Sequence, residues 1–213
     1  MAFGETLLSA LEMKYEDTSI LIFCKTPVPG AVKTRLIPAL GEERACTLHR
    51  DMSESIIYEV IDSSLGEVML FVWPDISHEF FASFKKLRLF VQEGRNLGER
   101  MHNAFNKVLG EKDNAVIIGT DCPTLDRHYL DRAIASLLHH DAVIGPAEDG
   151  GYGLIGLHRS SSKYFEDLSW GTEKVCSETC RRFNQADLNW SLMPLIWDVD
   201  RPEDIARYLS LGR

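Results

Sequence analysis

An uninterrupted apolar run at residues 20–24 stops abruptly at Lys25-Thr26-Pro27-Val28-Pro29-Gly30-Ala31-Val32-Lys33-Thr34-Arg35-Leu36. Because the run does not alternate, it reads as a strand buried on both faces, the pattern of a parallel sheet covered by helices. Pro27, Pro29 and Gly30 prevent the chain from continuing the strand or passing directly into a helix. No acid occurs between Asp17 and Glu42, in a chain of formal net charge -9. Lys25, Lys33 and Arg35 therefore make a local reversal of sign at the end of a first strand. Open α/β sheets take their ligands at that edge, so the loop is a candidate anion site. A solvated basic loop is the simpler alternative.

The rest of the chain alternates in the same way. Residues 41–64 follow a helical period through Ala45, Leu48, Met52, Ile56 and Val60. Strands are expected at 66–73 and 87–91, with a short helix at 76–86 between them. A fourth strand is expected at 115–119 and a helix at 126–138, with Asp126 as its N-cap. Two further apolar runs, 142–145 and 152–157, are separated only by residues 146–151. That gap cannot hold a crossover helix, so the second run should lie antiparallel to the first. A helix at 171–183, a strand at 192–197 and a final helix starting at Pro202 complete the pattern. Strands alternating with helices imply a mainly parallel sheet between two helical layers. One domain over residues 18–213 is expected. Residues 1–17 form an extension in which Leu7, Leu8, Leu11 and Tyr15 share one face of a short helix, a surface that could dock on the body or support a homodimer.

Composition narrows the function. The acidic balance argues against nucleic acid as a partner, which requires a basic face. Five scattered cysteines fit reduced thiols and a cytoplasmic location better than a disulfide framework. Cys176 and Cys180 are four apart, but without a second ligand pair they read as ordinary helix residues. No apolar stretch is long enough to span a bilayer. A Walker A loop and a Gly-x-Ser-x-Gly elbow are absent. Gly151, Gly153 and Gly156 match Gly-x-Gly-x-x-Gly, but inside an expected strand rather than before a helix, which argues against a dinucleotide fold.

Acids at strand ends are the more telling signal. Asp121 directly follows the fourth strand, where it is placed either to hold a metal or to form a turn. Asp198 and Asp200 follow the last strand. Only one of the two is expected to face the site. Asp200 is the candidate second metal ligand, or the cap of the last helix. Glu148-Asp149-Gly150-Gly151 is either a ligand-facing acidic loop, with Asp149 as a general base or hydroxyl partner, or simply a hairpin turn.

Together these stretches resemble a bacterial family of the GT-A nucleotide-diphospho-sugar transferase superfamily, the selenodomain-associated transferases. The resemblance is carried by the loop from Lys25 to Leu36 and by Asn96-Leu97-Gly98-Glu99-Arg100-Met101. Further matches are the segment from Gly119 to Leu125, the segment from Gly145 to Tyr152, Trp170-Gly171-Thr172, and Asp198-Val199-Asp200-Arg201-Pro202-Glu203-Asp204. It implies a three-layer α/β/α sandwich with one antiparallel strand and a glycosyl- or nucleotidyltransferase dependent on Mg²⁺ or Mn²⁺. Carried over, the loop holding Lys25, Pro29, Gly30, Lys33, Thr34 and Arg35 would wrap nucleotide phosphates. Asn96, Gly98 and Arg100 would lie by the base or ribose, and Asp121 and Asp200 would hold the metal. Glu148, Gly150, Gly151, Tyr152, Trp170 and Thr172 would face the acceptor, with Asp149 as its base. A non-catalytic nucleotide-binding module is the competing reading. The chain departs from the family pattern at Arg201, where Thr is common, and at Gly153, where an aromatic residue is common and whose absence should widen the acceptor side.

Overall fold

The computed structural model describes residues 13–212. Seven strands join one sheet: β1 (Thr18–Lys25), β2 (Glu67–Trp73), β3 (Arg88–Val91), β4 (Asn114–Ile118), β5 (Ala142–Pro146), β6 (Tyr152–Leu157) and β7 (Trp190–Leu192). Their order is β3-β2-β1-β4-β6-β5-β7. β6 is antiparallel to both β4 and β5, while every other neighbouring pair is parallel. The short 146–151 connection dictates this reversal, as its length requires.

The non-alternating apolar strands have helices on both sides. On one face Ile20, Ile22 and Val116 pack with Ile56, Ile57 and Val60 of α2 (Glu42–Ser63) and with Leu130, Ile134 and Leu137 of α4 (Arg127–Leu137). On the other, Leu21, Ile117 and Ile155 meet Met101 and Phe105 of α3 (Leu97–Val108) and Phe183 of α5 (Val175–Gln185). A third cluster joins Leu36 and Met52 to Trp197, Val199 and Tyr208, seating α6 (Pro202–Leu209) beside α2. Asp126 caps α4, its Oδ1 accepting the Tyr129 N–H at 2.8 Å.

Several expected bounds move for local reasons. After the first loop the chain winds into a 3₁₀ turn, Thr34–Leu36, and a four-residue helix, α1 (Ile37–Leu40). The segment expected as a helix at 76–86 is a 3₁₀ helix, Glu79–Phe84. α5 begins at Val175 rather than 171, because Gly171 has φ +77° and Thr172 turns back onto the Ser169 carbonyl. The last strand ends at Leu192. Pro194 lacks an N–H for the ladder, and pairing resumes only as an isolated bridge from Ile196 to Ala147. In the expected N-terminal helix Leu7, Leu8 and Leu11 lie outside the described residues. Tyr15 lies within them and donates its hydroxyl to Asp131 at 2.8 Å. Among the described residues no helix is long and apolar enough to cross a membrane.

Candidate active site

β1 sits between β2 and β4, and the chain leaves it towards β2. The strand order therefore diverges at β1/β4, and a crevice opens beyond the strand ends there. It is a cavity of about 640 Å³.

The first loop is pinned on three sides. The Thr26 hydroxyl donates to the Asp75 carbonyl at 2.7 Å, beyond the end of β2. His49 of α2 donates from Nε2 to the Lys25 carbonyl at 2.9 Å. Lys33, in the left-handed region at φ 46°, sends its ammonium inwards, where it is 7% exposed. There Nζ donates to the Val199 carbonyl at 2.7 Å and lies 3.6 Å from Asp121 Oδ2. The Arg35 guanidinium pairs with the Asp200 carboxylate. Asp204 accepts the backbone N–H groups of Asp200 and Arg201 at 3.0 and 2.7 Å, fixing the entry to α6.

The acids form the opposite wall. Asp121 lies deep in the crevice yet is half open to it, with 47% of its side chain exposed. Desolvation pushes its carboxyl up, but Lys33, its own backbone N–H, His49 and Lys25 together hold it below the ordinary carboxylate range. Asp198 is shifted the other way. Desolvation, then the charges of Asp121 and Asp149, push its carboxyl up to about 7. Asp149 tips the β5–β6 hairpin, its Oδ1 accepting the Gly151 N–H at 2.8 Å. Gly150 at φ +86° presses this tip onto the start of α5, where a Cβ would stand 2.2 Å from the Glu173 carbonyl oxygen. Its own carbonyl accepts the Cys176 N–H at 2.9 Å.

At the far end, Arg100 lies flat on Trp73, with the guanidinium carbon 3.4 Å from a ring centroid. Its Nε donates to the Gly94 carbonyl at 3.2 Å. Gln92 Nε2 donates to the Phe71 carbonyl at 2.8 Å, holding the buried carboxamide in place.

Of the residues expected at the site, Lys25, Lys33, Thr34, Arg35, Arg100, Asp121, Asp149, Gly151, Tyr152, Trp170, Thr172 and Asp200 all line this one cavity. Pro29, Gly30 and Gly150 stand outside its lining. Asn96 and Gly98 border a neighbouring hollow that shares the Trp170 wall. Asn96 caps α3 there, accepting the Glu99 N–H at 2.9 Å. Glu148 is likewise outside the lining, its two oxygens accepting from Arg207 at 2.8 and 3.1 Å. The cavity also takes in residues that sequence reasoning passed over: Asp198, Trp73, Gln92 and His49. Only one of Asp198 and Asp200 was expected to face the site, but both reach the cavity, and residues two apart do share a face where a chain is extended. The signal was present, since Asp198 follows the apolar Ile196-Trp197 much as Asp121 follows β4. At Gly153 a Cβ would lie 2.5 Å from Cys122 Sγ and 2.8 Å from Ile196 Cδ1. Gly153 lines the cavity, and a larger residue there would have to displace those two side chains.

Among the described residues no three His, Cys, Asp or Glu side chains gather as a closed metal cage. Asp121 and Asp198 fit a different arrangement, an ion held by one or two carboxylates and shared with ligand phosphates, as Mg²⁺ usually is. Desolvation raises Asp198 most, and the repulsion from Asp121 and Asp149 that adds to it is the charge such an ion would cancel.

Residues 56–172 match the family described as "Uncharacterized protein conserved in bacteria (DUF2064)". The chain belongs to that family. Among solved structures, the DUF2064 chain resembles a protein of Desulfovibrio desulfuricans G20 provisionally assigned as a nucleotide-diphospho-sugar transferase. The two share 31% identity and a TM-score of 0.81, over 87% of this chain and 83% of that one. A 2-phospho-L-lactate guanylyltransferase of Methanocaldococcus vulcanius is 26% identical over 153 residues. That match takes in 71% of this DUF2064 chain but 65% of the relative, so the chain spans just under two thirds of the relative's length. CMP:2-keto-3-deoxy-manno-octonic acid synthetase, solved with CTP, shares the fold at TM-score 0.60 and 12% identity, over 92% of this chain and 98% of that one. The DUF2064 fold is thus that of GT-A-like nucleotide-diphospho-sugar transferases, and its neighbours are transferases that handle nucleotides.

Proposed function

We propose that this protein is a metal-dependent transferase that binds a nucleotide-diphospho-sugar at the C-terminal edge of its sheet and passes the sugar to an acceptor. The observation that carries this reading is the meeting of Lys33, Asp121 and Asp198, from three separate segments, on one cavity beyond β1 and β4. Preorganised charge of both signs is what a departing diphosphate needs.

In this reading Lys25, Lys33 and Arg35 hold the phosphates, with Arg35 supplying a bidentate fork. Asp121 and Asp198 hold Mg²⁺ or Mn²⁺, with Asp200 beside them, and the bound ion would neutralise charge on the phosphate oxygens. The acceptor lies against Tyr152, Trp170 and Thr172, where Asp149 accepts the proton of the attacking hydroxyl. The bond from the sugar's anomeric carbon to the phosphate oxygen breaks, and a bond from that carbon to the acceptor oxygen forms. The nucleoside diphosphate leaves with the bonding electron pair.

A second reading, nucleotidyl transfer, is favoured by the sequence match to a guanylyltransferase. Here an acceptor phosphate attacks the α-phosphorus of a nucleoside triphosphate and pyrophosphate leaves. The same cations serve, and Asp149 has no proton to take. A thermal-shift panel of nucleoside triphosphates and nucleotide-sugars, each with Mg²⁺, Mn²⁺ or EDTA, separates the two. A ligand at about 100 times its dissociation constant adds roughly 2.7 kcal/mol. A metal-dependent shift with a nucleotide-sugar supports the first reading, and one confined to a triphosphate supports the second. A folded sample that responds to neither class refutes both.

A further inference from the structure

Of the four lysines and arginines that line the cavity among the described residues, Lys33, Arg35 and Arg100 differ in how far the protein already satisfies them. Lys33 has Asp121 and the Val199 carbonyl, and Arg35 has Asp200. Arg100, half-buried, has among the described residues only the Trp73 ring under its face and one carbonyl, that of Gly94, on its Nε. Its terminal N–H groups have no carboxylate partner among the described residues, and desolvation holds its pKa below the usual guanidinium value. A stacked guanidinium with both outer donors open is a fork waiting for two adjacent acceptors.

Sheet order says which part of a nucleotide would meet it. Trp73 ends β2, and Asp121 follows β4, two strands away. At about 4.8 Å per strand, Arg100 lies on the order of 10 Å along the edge from the acids. Asp149 lies on the opposite side, at the tip of the β5–β6 hairpin. With the phosphates at Lys33 and Asp121, a ribose would span the ends of β1 and β2, and a planar base would reach the Arg100–Trp73 stack. Gln92 lines the same end, with its Nε2 already committed to Phe71. Its oxygen is left to accept, beside a guanidinium that can only donate.

Resting on the nucleotide-binding reading above, we propose that Arg100 is the specificity residue of this site and selects a base that presents two adjacent acceptors, guanine or cytosine. Guanine offers O6 and N7, and cytosine offers O2 and N3. Each also carries a donor next to that pair for the Gln92 oxygen. Adenine places its amino donor beside N7, against the fork. In uracil an N–H separates the two carbonyls.

The test is equilibrium binding of GTP, CTP, ATP and UTP, and of their diphosphates, to the full chain by calorimetry in the presence of Mg²⁺. Binding is compared among wild type, Arg100→Met and Arg100→Lys. A guanine or cytosine nucleotide should bind roughly tenfold to a hundredfold tighter than those of adenine and uracil, the range of one bidentate contact. Arg100→Met should bring that ratio close to one. Arg100→Lys keeps the charge and the aliphatic stem but not the fork, so it should restore affinity without restoring the ratio. Circular dichroism checks that each variant is folded. Equal binding of all four bases by wild type overturns the inference while leaving the nucleotide reading intact. So does a loss in Arg100→Met that is uniform across bases, or a ratio that Lys restores in full. Failure of every nucleotide and nucleotide-sugar to bind refutes the function itself.

Discussion

Lys33 and Asp121, far apart in sequence, face each other at 3.6 Å across the crevice between β1 and β4. The lysine is the more deeply held partner, at 7% exposure against 47% for the aspartate. Removing either one should therefore have unequal effects. Lys33→Met strips the buried donor from the Val199 carbonyl and leaves Asp121 facing Asp198 unshielded. A loss of about 2 kcal/mol in urea unfolding is expected. Asp121→Asn removes that repulsion, so its loss should be smaller and Asp198 should return towards an ordinary carboxylate. Both variants should lose the metal-dependent part of any nucleotide thermal shift. An Asp121→Asn protein that keeps the metal dependence would overturn its assignment as a ligand.

The hairpin tip offers a contrast between two glycines. Gly150→Ala meets both a left-handed φ of +86° and the Glu173 carbonyl oxygen at 2.2 Å. It should cost about 2–3 kcal/mol and move Asp149. Gly171→Ala also has a positive φ, +77°, but nothing stands within 4 Å of its Cβ. It should cost about 1 kcal/mol, the left-handed penalty alone. Chemical denaturation of the two variants side by side checks the ordering.

Asp126→Ala removes the oxygen that accepts the Tyr129 N–H at the start of α4. The expected loss is about 1 kcal/mol. Glu59 of α2 already accepts the Arg127 N–H at 3.0 Å. A double variant with Glu59→Gln should lose little more than the single, because an amide oxygen can replace that acceptor.

His49 carries a pH signature. Desolvation, opposed by its bond to the Lys25 carbonyl, lowers its pKa below 6.5. The unfolded chain then binds the extra proton first, so this contribution is complete above pH 6.5 and is lost as pH falls through the folded value. Asp198, raised to about 7, slopes the other way, because the folded state holds its proton longer. The measurable quantity is therefore the difference in stability between wild type and His49→Gln. That difference should shrink from pH 7 to pH 5, and a constant difference would contradict the prediction.

Much of this fold can be read from local chain chemistry. The reversal of β6 follows from a six-residue connection, and the α4 cap from one aspartate before a helical period. The cationic loop stands out because acids are missing around it. Contacts made between distant segments cannot be read in that way. Glu148 looks like a ligand residue beside Asp149, yet it is claimed by Arg207, 59 positions away, which also stacks on Trp197 at 4.1 Å. Arg100 was marked by its motif, but nothing in the sequence announces Trp73 beneath it. Asp198 is legible in principle, because residues two apart in an extended chain share a face and Asp200 was already a candidate.

The lone antiparallel strand has a consequence for how such proteins diversify. Because β6 runs against its neighbours, the tip of the β5–β6 hairpin arrives at the edge where the parallel strands end. The cations and Arg100 come from segments following β1 and β3, whereas Asp149, Trp170 and Thr172 come from chain beyond β5. On the proposed reading, recipient choice and donor choice would therefore be encoded in separate halves of the gene. A graft of residues 147–172 between homologues should retarget what is modified without changing what is consumed.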